Sequence, residues 1–263
     1  MTYADEANPY IPVIPPGEDE LPCDDGEPME TEIHLKQMTL LIQSLERAWD
    51  HRTDFYVGGN MFLYYSEIQT KKNDFRGPDV FVVLDTVRRV RKSWVVWQEE
   101  RGPDVVIEIT SATTEKVDRG DKMRIYGKLL RVPEYYIHDP ETGTLEGYTL
   151  DLRTGTYVPK SKGPSGDYVC APLGLRLGLR PGRYSGVERT WVRWLDADGN
   201  LLPTSEEAAT TAMKEASAAE QKASAAEQKA SAAEQKASAA EQKAADLAAK
   251  MAEYEKRFGK LDS

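Results

Sequence analysis

Apolar positions recur along this chain in three rhythms, and each predicts a different kind of element. Ile33, Leu40, Leu41, Leu45 and Trp49 fall on one face of a helix that begins near Glu30. Val57-Gly58-Gly59-Asn60 and Met61 to Tyr65 read as a bend and a strand. Two unbroken runs follow, Val80-Phe81-Val82-Val83-Leu84 and Val105-Val106-Ile107-Glu108-Ile109, the pattern of strands buried on both faces. Next, Asp118, Lys122, Tyr126 and Leu130 recur every four residues, along one side of a helix. That helix ends near Leu130, because Pro133 disfavours helical backbone at Val132. Tyr135 to His138 predicts a strand, and the stretch from Asp139-Pro140 to Thr142-Gly143 a turn. Leu145–Leu152, Thr156–Pro159 and Trp191–Leu195 then alternate with Gly and Pro turns, as in an antiparallel β extension whose core Tyr168, Leu173, Leu175 and Leu177 fill. The predicted class is α/β, a mixed sheet flanked by helices with that extension and a long C-terminal Ala-rich helix.

The two ends differ from this middle. Residues 1–28 are rich in proline and acid and predict an extended arm. Residues 29–203 form the predicted domain, 204–258 a helix and 259–263 a tail. From Ala216 to Lys243 the heptad ASAAEQK occurs four times unchanged, with no Pro or Gly between 204 and 258. Ala216, Ala219, Ala223, Ala226, Ala230 and Ala233 keep the alternating three and four spacing of a coiled-coil seam. Within the repeats no Glu and Lys stand three or four apart, so charge pairing does not support a lone helix. A solvated single helix and a dimerising stalk both fit.

Candidate chemistry lies in the two apolar runs. Glu108 sits inside a strand that should be buried, and Asp79 follows Pro78 at the mouth of the other. A carboxylate removed from water must pair, bind a metal or hold its proton. The pair could join Arg76 or Lys122 in a buried ion cluster, or form a small metal site. His138, closing a strand, reads as a hydrogen-bonded structural group rather than a general base.

Six segments, CDDGEPMET, DFYVGGNMF, DFRGPDVFVVL, PDVVIEITSATTEKVDRGDKMRIY, VPEYYIHDP and WVRWLDADG, span roughly residues 22 to 205. Together they resemble the PD-(D/E)XK nuclease superfamily, and more closely its Uma2-like (DUF820) restriction endonuclease branch. The resemblance implies a restriction-endonuclease-like fold. It also implies Mg2+ (or Mn2+) held by Asp79, Glu108 and the carbonyl of Ile109, and a lysine acting on the attacking water. The triplet's usual lysine position is Thr110 here, and the matching lysine is Lys122 on the following helix. Asp118 would orient Lys122 and Tyr126 would brace it. Helices at the position of the first one often lend the metal another acid, for which Glu32 is the candidate beside an ordinary first-turn role. The function implied is metal-dependent hydrolysis of DNA phosphodiester bonds. The rival is an inactive scaffold on the same fold, working through its acidic arm and helix.

Charge bears on the partner. The net charge of -10 argues against DNA, but ten acids and no base fall within residues 1–32, and the other acids balance the 34 bases. Arg88, Arg89, Arg91 and Lys92, between the two apolar runs, predict a hairpin tip that either grips phosphates or is solvated. A third reading joins enzyme and scaffold: the acidic arm occupies the DNA groove and restrains the enzyme. Cys23 and Cys170 lack metal-ligand spacing, and neither a spanning segment nor a secretory signal is expected. The expected location is cytoplasmic, with DNA as partner and a homodimer through the domain or the heptads.

Overall fold

The computed structural model describes residues 14–23, 31–66 and 75–259, with Phe258 by its backbone alone. Most of the predicted acidic arm, the boundary at residue 28 and the last four residues lie outside these. The chain divides into two units, residues 1–205 and 206–263.

In the first unit, α1 (Glu32–Ala48) starts where the Thr31 hydroxyl accepts the His34 N–H at 3.1 Å. It is followed by β1 (Phe55–Gly58), β2 (Leu63–Tyr64), β3 (Phe75–Arg76), β4 (Val80–Leu84), β5 (Trp94–Val95), the short α2 (Val96–Glu99) and β6 (Val105–Ile109). Then come α3 (Glu115–Val117), a π-helical turn (Asp118–Lys122) and α4 (Met123–Lys128). The strands β7 (Glu134–Asp139), β8 (Thr144–Asp151), β9 (Thr156–Pro159), β10 (Tyr168–Cys170), β11 (Leu175–Tyr184) and β12 (Val187–Leu195) complete the unit. From residue 206 the second unit consists, among the described residues, almost wholly of α5 (Ser205–Phe258), a single 54-residue helix.

The main sheet has the order β1-β4-β6-β7-β8-β9. All its pairs are antiparallel except β6 and β7, which the α3–α4 crossover joins in parallel. Both faces are covered, so the apolar runs of β4 and β6 are continuous rather than alternating. On one side Val80, Val82, Val105, Ile107 and Ile109 pack against Met38, Leu41, Leu45 and Trp49. On the other, Phe81, Val83 and Val106 pack with Tyr126, Tyr135, Ile137 and Trp94. Full burial of such a side chain contributes about 2–3 kcal/mol.

A smaller sheet, β3-β2-β5, flanks this second face, and β10-β11-β12 forms a separate meander. Gln37 of α1 ties that meander down, donating to the Val192 carbonyl at 3.0 Å and accepting from the Val192 N–H at 2.9 Å. The predicted extension is therefore divided. β8 and β9 belong to the main sheet because the turn after Asp139 folds β8 back along the whole of β7. Only β10 to β12 stand apart, and Tyr168, Leu173, Leu175 and Leu177 join the α1-side core as expected.

Candidate active site

The site forms where β4 begins and β6 ends, neighbouring points of an antiparallel pair. Asp79 and Glu108 are interlocked through the backbone: Asp79 Oδ2 accepts the Ile109 N–H at 2.6 Å, and Glu108 Oε2 accepts the Asp79 N–H at 3.3 Å. Close packing at Gly59 fixes this corner. A Cβ there would stand 1.8 Å from the Asp79 carbonyl oxygen, so only glycine fits.

Lys122 and Tyr126 reach Glu108 from the crossover. Lys122 Nζ lies 2.9 Å from Glu108 Oε2, and the Tyr126 hydroxyl donates to Glu108 Oε1 at 2.9 Å. Asp118 Oδ1 stands 3.0 Å from Lys122 Nζ, yet off the angle of a hydrogen bond, and is otherwise without a donor. The four-residue rhythm thus brings Asp118, Lys122 and Tyr126 together, although a π turn replaces the regular helix over Asp118–Lys122. That turn is held over the sheet by the Tyr135 hydroxyl, which donates to the Asp118 carbonyl at 2.9 Å.

His34 is a member that the sequence reading did not single out. Its Nε2 stands 2.9 Å from Asp79 Oδ1. The readable signal was a polar residue at the head of the buried stripe Met38, Leu41 and Leu45. Glu32, the residue proposed from α1, is turned to solvent and pairs with Lys36 at 2.6 Å. Thr110 continues the Glu108 face of β6, and its buried hydroxyl has no hydrogen-bond partner.

The electrostatics follow from three carboxyls sharing one ammonium. Burial, reinforced by Asp79 and Asp118, pushes Glu108 up to about 8 against the pull of Lys122. Burial acts to raise Asp79 too, but His34, Lys122 and the Ile109 N–H outweigh it and leave this carboxyl below its ordinary range. Burial disfavours the Lys122 ammonium, yet Glu108, Asp79 and Asp118 prevail and hold it firmly protonated. Among the described residues, no group of three His, Cys, Asp or Glu side chains is disposed to hold a metal ion by itself.

Other predicted residues lie elsewhere. His138 is buried, bonds through Nδ1 to the Thr144 carbonyl at 2.7 Å, and is lowered by burial to about 4, so it stays neutral. The basic cluster occupies an irregular loop, residues 85–93, not a hairpin tip, because the chain leaves β4 to build β5 and α2 before returning as β6. Arg91 is interior: it forks onto Glu99 at 2.8 and 2.7 Å and lies over the Trp94 and Tyr56 rings. Arg88, Arg89 and Lys92 remain at the surface.

The chain is an α/β protein, a mixed sheet flanked by helices, with Asp79, Glu108 and Lys122 brought together at one corner of that sheet. Residues 19–183 match the Uma2 family, described as "Putative restriction endonuclease", and the chain belongs to it. Among solved structures, the chain is similar to "a putative nuclease belonging to DUF820 from Anabaena variabilis ATCC 29413", with 16% identity and a TM-score of 0.37. That match covers 52% of this chain and 81% of the other. No curated protein matches the chain. No helix among the described residues is long and apolar enough to cross a membrane.

Proposed function

We propose that the protein hydrolyses DNA phosphodiester bonds with a divalent cation, Mg2+ or Mn2+, at the Asp79–Glu108 corner. The observation that carries this reading is the convergence of Asp79, Glu108 and Lys122 from three separate elements within hydrogen-bond distance. The donor set fits a hard cation that keeps most of its shell as water, for which two carboxylates and the Ile109 carbonyl suffice. Asp118 Oδ1 and the Thr110 hydroxyl, which take part in no hydrogen bond, suit ordered water. When bound, such an ion polarises a phosphate and lowers the pKa of a bound water.

The chain's own residues supply the rest. Asp79, already ionised, is the standing ligand, and His34 orients it. Glu108 must release its proton to become the second ligand, so cation affinity rises with pH towards and beyond about 8. Lys122, kept protonated, donates to water or to charge developing on the phosphate rather than removing a proton. Asp118 and Tyr126 hold Lys122 and Glu108 in register. A homodimer, through the domain or through α5, would present two such sites to two strands.

One observation favours a second reading, a binding protein on a nuclease-like fold. All the carboxylate oxygens of Asp79 and Glu108 already face protein partners: His34, Ile109, Tyr126 and Lys122. The deciding experiment incubates supercoiled plasmid and single-stranded DNA with Mg2+ or Mn2+, beside Asp79→Ala and Lys122→Ala. Cleavage by the wild type that falls at least about 100-fold in both variants supports the enzyme. No cleavage, together with no Mn2+-induced thermal shift, assigns the protein to the binding class.

A further inference from the structure

We propose that residues 16–23 form an acidic strap over a phosphate-binding surface made by Arg88, Arg89 and Lys92, and that a nucleic-acid backbone displaces it. This rests on the reading of the domain as one that acts on DNA.

The strap's hold divides into two kinds of contact. One kind is neutral and fixes the backbone: the Pro16 carbonyl accepts from Trp97 Nε1 at 3.1 Å, and the Glu18 N–H donates to Gln98 Oε1 at 2.9 Å. The Tyr64 hydroxyl donates to the Pro22 carbonyl at 2.6 Å, while Leu21 packs against the cluster of Phe62, Tyr64 and Val95. These set the path of the segment's backbone.

The other kind is ionic and concentrated at the turn around Glu18. Glu18 Oε2 takes Arg89 Nη1 at 3.0 Å, and Glu18 Oε1 takes the Lys92 backbone N–H at 2.5 Å. Asp19 Oδ1 takes Lys92 Nζ at 2.6 Å. Two adjacent carboxylates thus meet a guanidinium, a backbone N–H and an ammonium, the donor types that grip a phosphate backbone. Arg88 extends the same surface, 3.7 Å from Asp50. By contrast, the loop's own stability comes from Arg91 buried on Glu99, whose Oε1 also takes Arg89 Nη2 at 2.5 Å, so the Arg89 guanidinium stays in place when Glu18 is removed.

Exposure makes the outer part of the ionic half replaceable, while Glu18 itself is 13% exposed beside Arg89. The Lys92–Asp19 pair is 61% and 87% exposed, so salt and competing anions reach it. A polyanion offers several charges at once, whereas the strap sets two acids against Arg89 and Lys92 and leaves Arg88 to Asp50. The chain therefore carries its own competitor, which lowers affinity for DNA without touching the Asp79–Glu108 corner.

The test is the full-length Glu18→Gln/Asp19→Asn variant, titrated by anisotropy with a labelled 20-bp duplex in EDTA at low salt. Its affinity should exceed that of the wild type about tenfold, and adding Arg88→Gln/Arg89→Gln/Lys92→Gln should abolish the gain. Cys23 is exposed at the strap's end and Cys170 is buried, so a thiol-reactive dye marks the strap alone. Duplex should change that dye's emission in the wild type as the strap leaves Trp97. Unchanged affinity in the acid variant, or an unresponsive dye at saturating duplex, overturns the strap. Plasmid cleavage, read separately with Mn2+, keeps the two readings distinct: equal binding with cleavage intact refutes the strap alone. If neither protein binds or cleaves DNA, both readings fall.

Discussion

Lys122 Nζ stands between Glu108 Oε2 at 2.9 Å and Asp118 Oδ1 at 3.0 Å, one ammonium serving two buried carboxyls. Lys122→Met keeps most of the volume and removes the charge. On the proposed mechanism plasmid cleavage should fall about 100-fold or more, with duplex affinity within twofold, because Lys122 would act on charge developing in the transition state. Lys122→Arg should restore little, since a planar fork cannot take the place of a compact ammonium between the two acids. Undiminished cleavage by Lys122→Met would remove the lysine from the chemistry.

His34 ties the start of α1 to Asp79. Replacing it with alanine leaves Asp79 without the partner at 2.9 Å that helps keep it ionised. Cleavage should drop about 10- to 100-fold, the usual cost of losing a group that orients a ligand. His34→Gln, which retains an N–H donor, should recover part of the loss. Glu32→Gln, by contrast, should cleave like the wild type, as Glu32 pairs only with Lys36 in solvent.

This contrast marks how far the sequence could be read. Asp79 and Glu108 were visible because apolar neighbours make an acid conspicuous. Lys122 and Tyr126 were visible through their spacing, which survives the π turn. His34 was missed because first-turn acids draw attention at a helix start. The better signal was its place on the Met38–Leu41–Leu45 stripe. Nothing local separates Arg91 from Arg88 and Arg89. Arg89 and Arg91 both reach Glu99, and only the tertiary placement of the Tyr56 and Trp94 rings beneath Arg91 sends that one inside. Likewise, the strand-and-turn pattern of 145–195 holds no information on which sheet each strand joins.

Thr110 takes the position where the resemblance expects a lysine, and its buried hydroxyl lacks a protein partner. Thr110→Val preserves the branched shape the strand accommodates. Removing an unsatisfied buried hydroxyl should leave folding stability unchanged or raise it by up to about 1 kcal/mol in urea titration. If that hydroxyl holds a water of the reaction, cleavage falls about tenfold in the same variant. Full activity would make Thr110 a packing residue.

His138 gives the fold a pH dependence of its own. Burial lowers it from 6.5 to about 4, so the unfolded chain takes up its proton first as pH falls. Its contribution is therefore intact above 6.5 and is lost progressively between 6.5 and 4, to about 3 kcal/mol in full. Urea midpoints measured from pH 7.5 to 4.5 should fall more steeply for the wild type than for His138→Gln. Parallel curves would show that the ring is protonated without penalty.

In α5, alanine seams bury little, and the Glu and Lys of the repeats are not spaced to staple a single helix. Besides Met213, its larger apolar residues include Leu247, Met251 and Tyr254, which repeat at helical spacing and are 62%, 60% and 65% exposed. If copies pair through this helix, that stripe is where the apolar surface exists to do it. Sedimentation velocity over a hundredfold range of concentration should then show a dimer that dissociates on dilution. Leu247→Glu/Met251→Glu should shift it to monomer while leaving the Mn2+-induced thermal shift of the domain in place. A sedimentation coefficient indifferent to both dilution and substitution would make α5 a solvated single helix, about 80 Å long at 1.5 Å per residue. Any pairing of copies would then have to come from the domain itself.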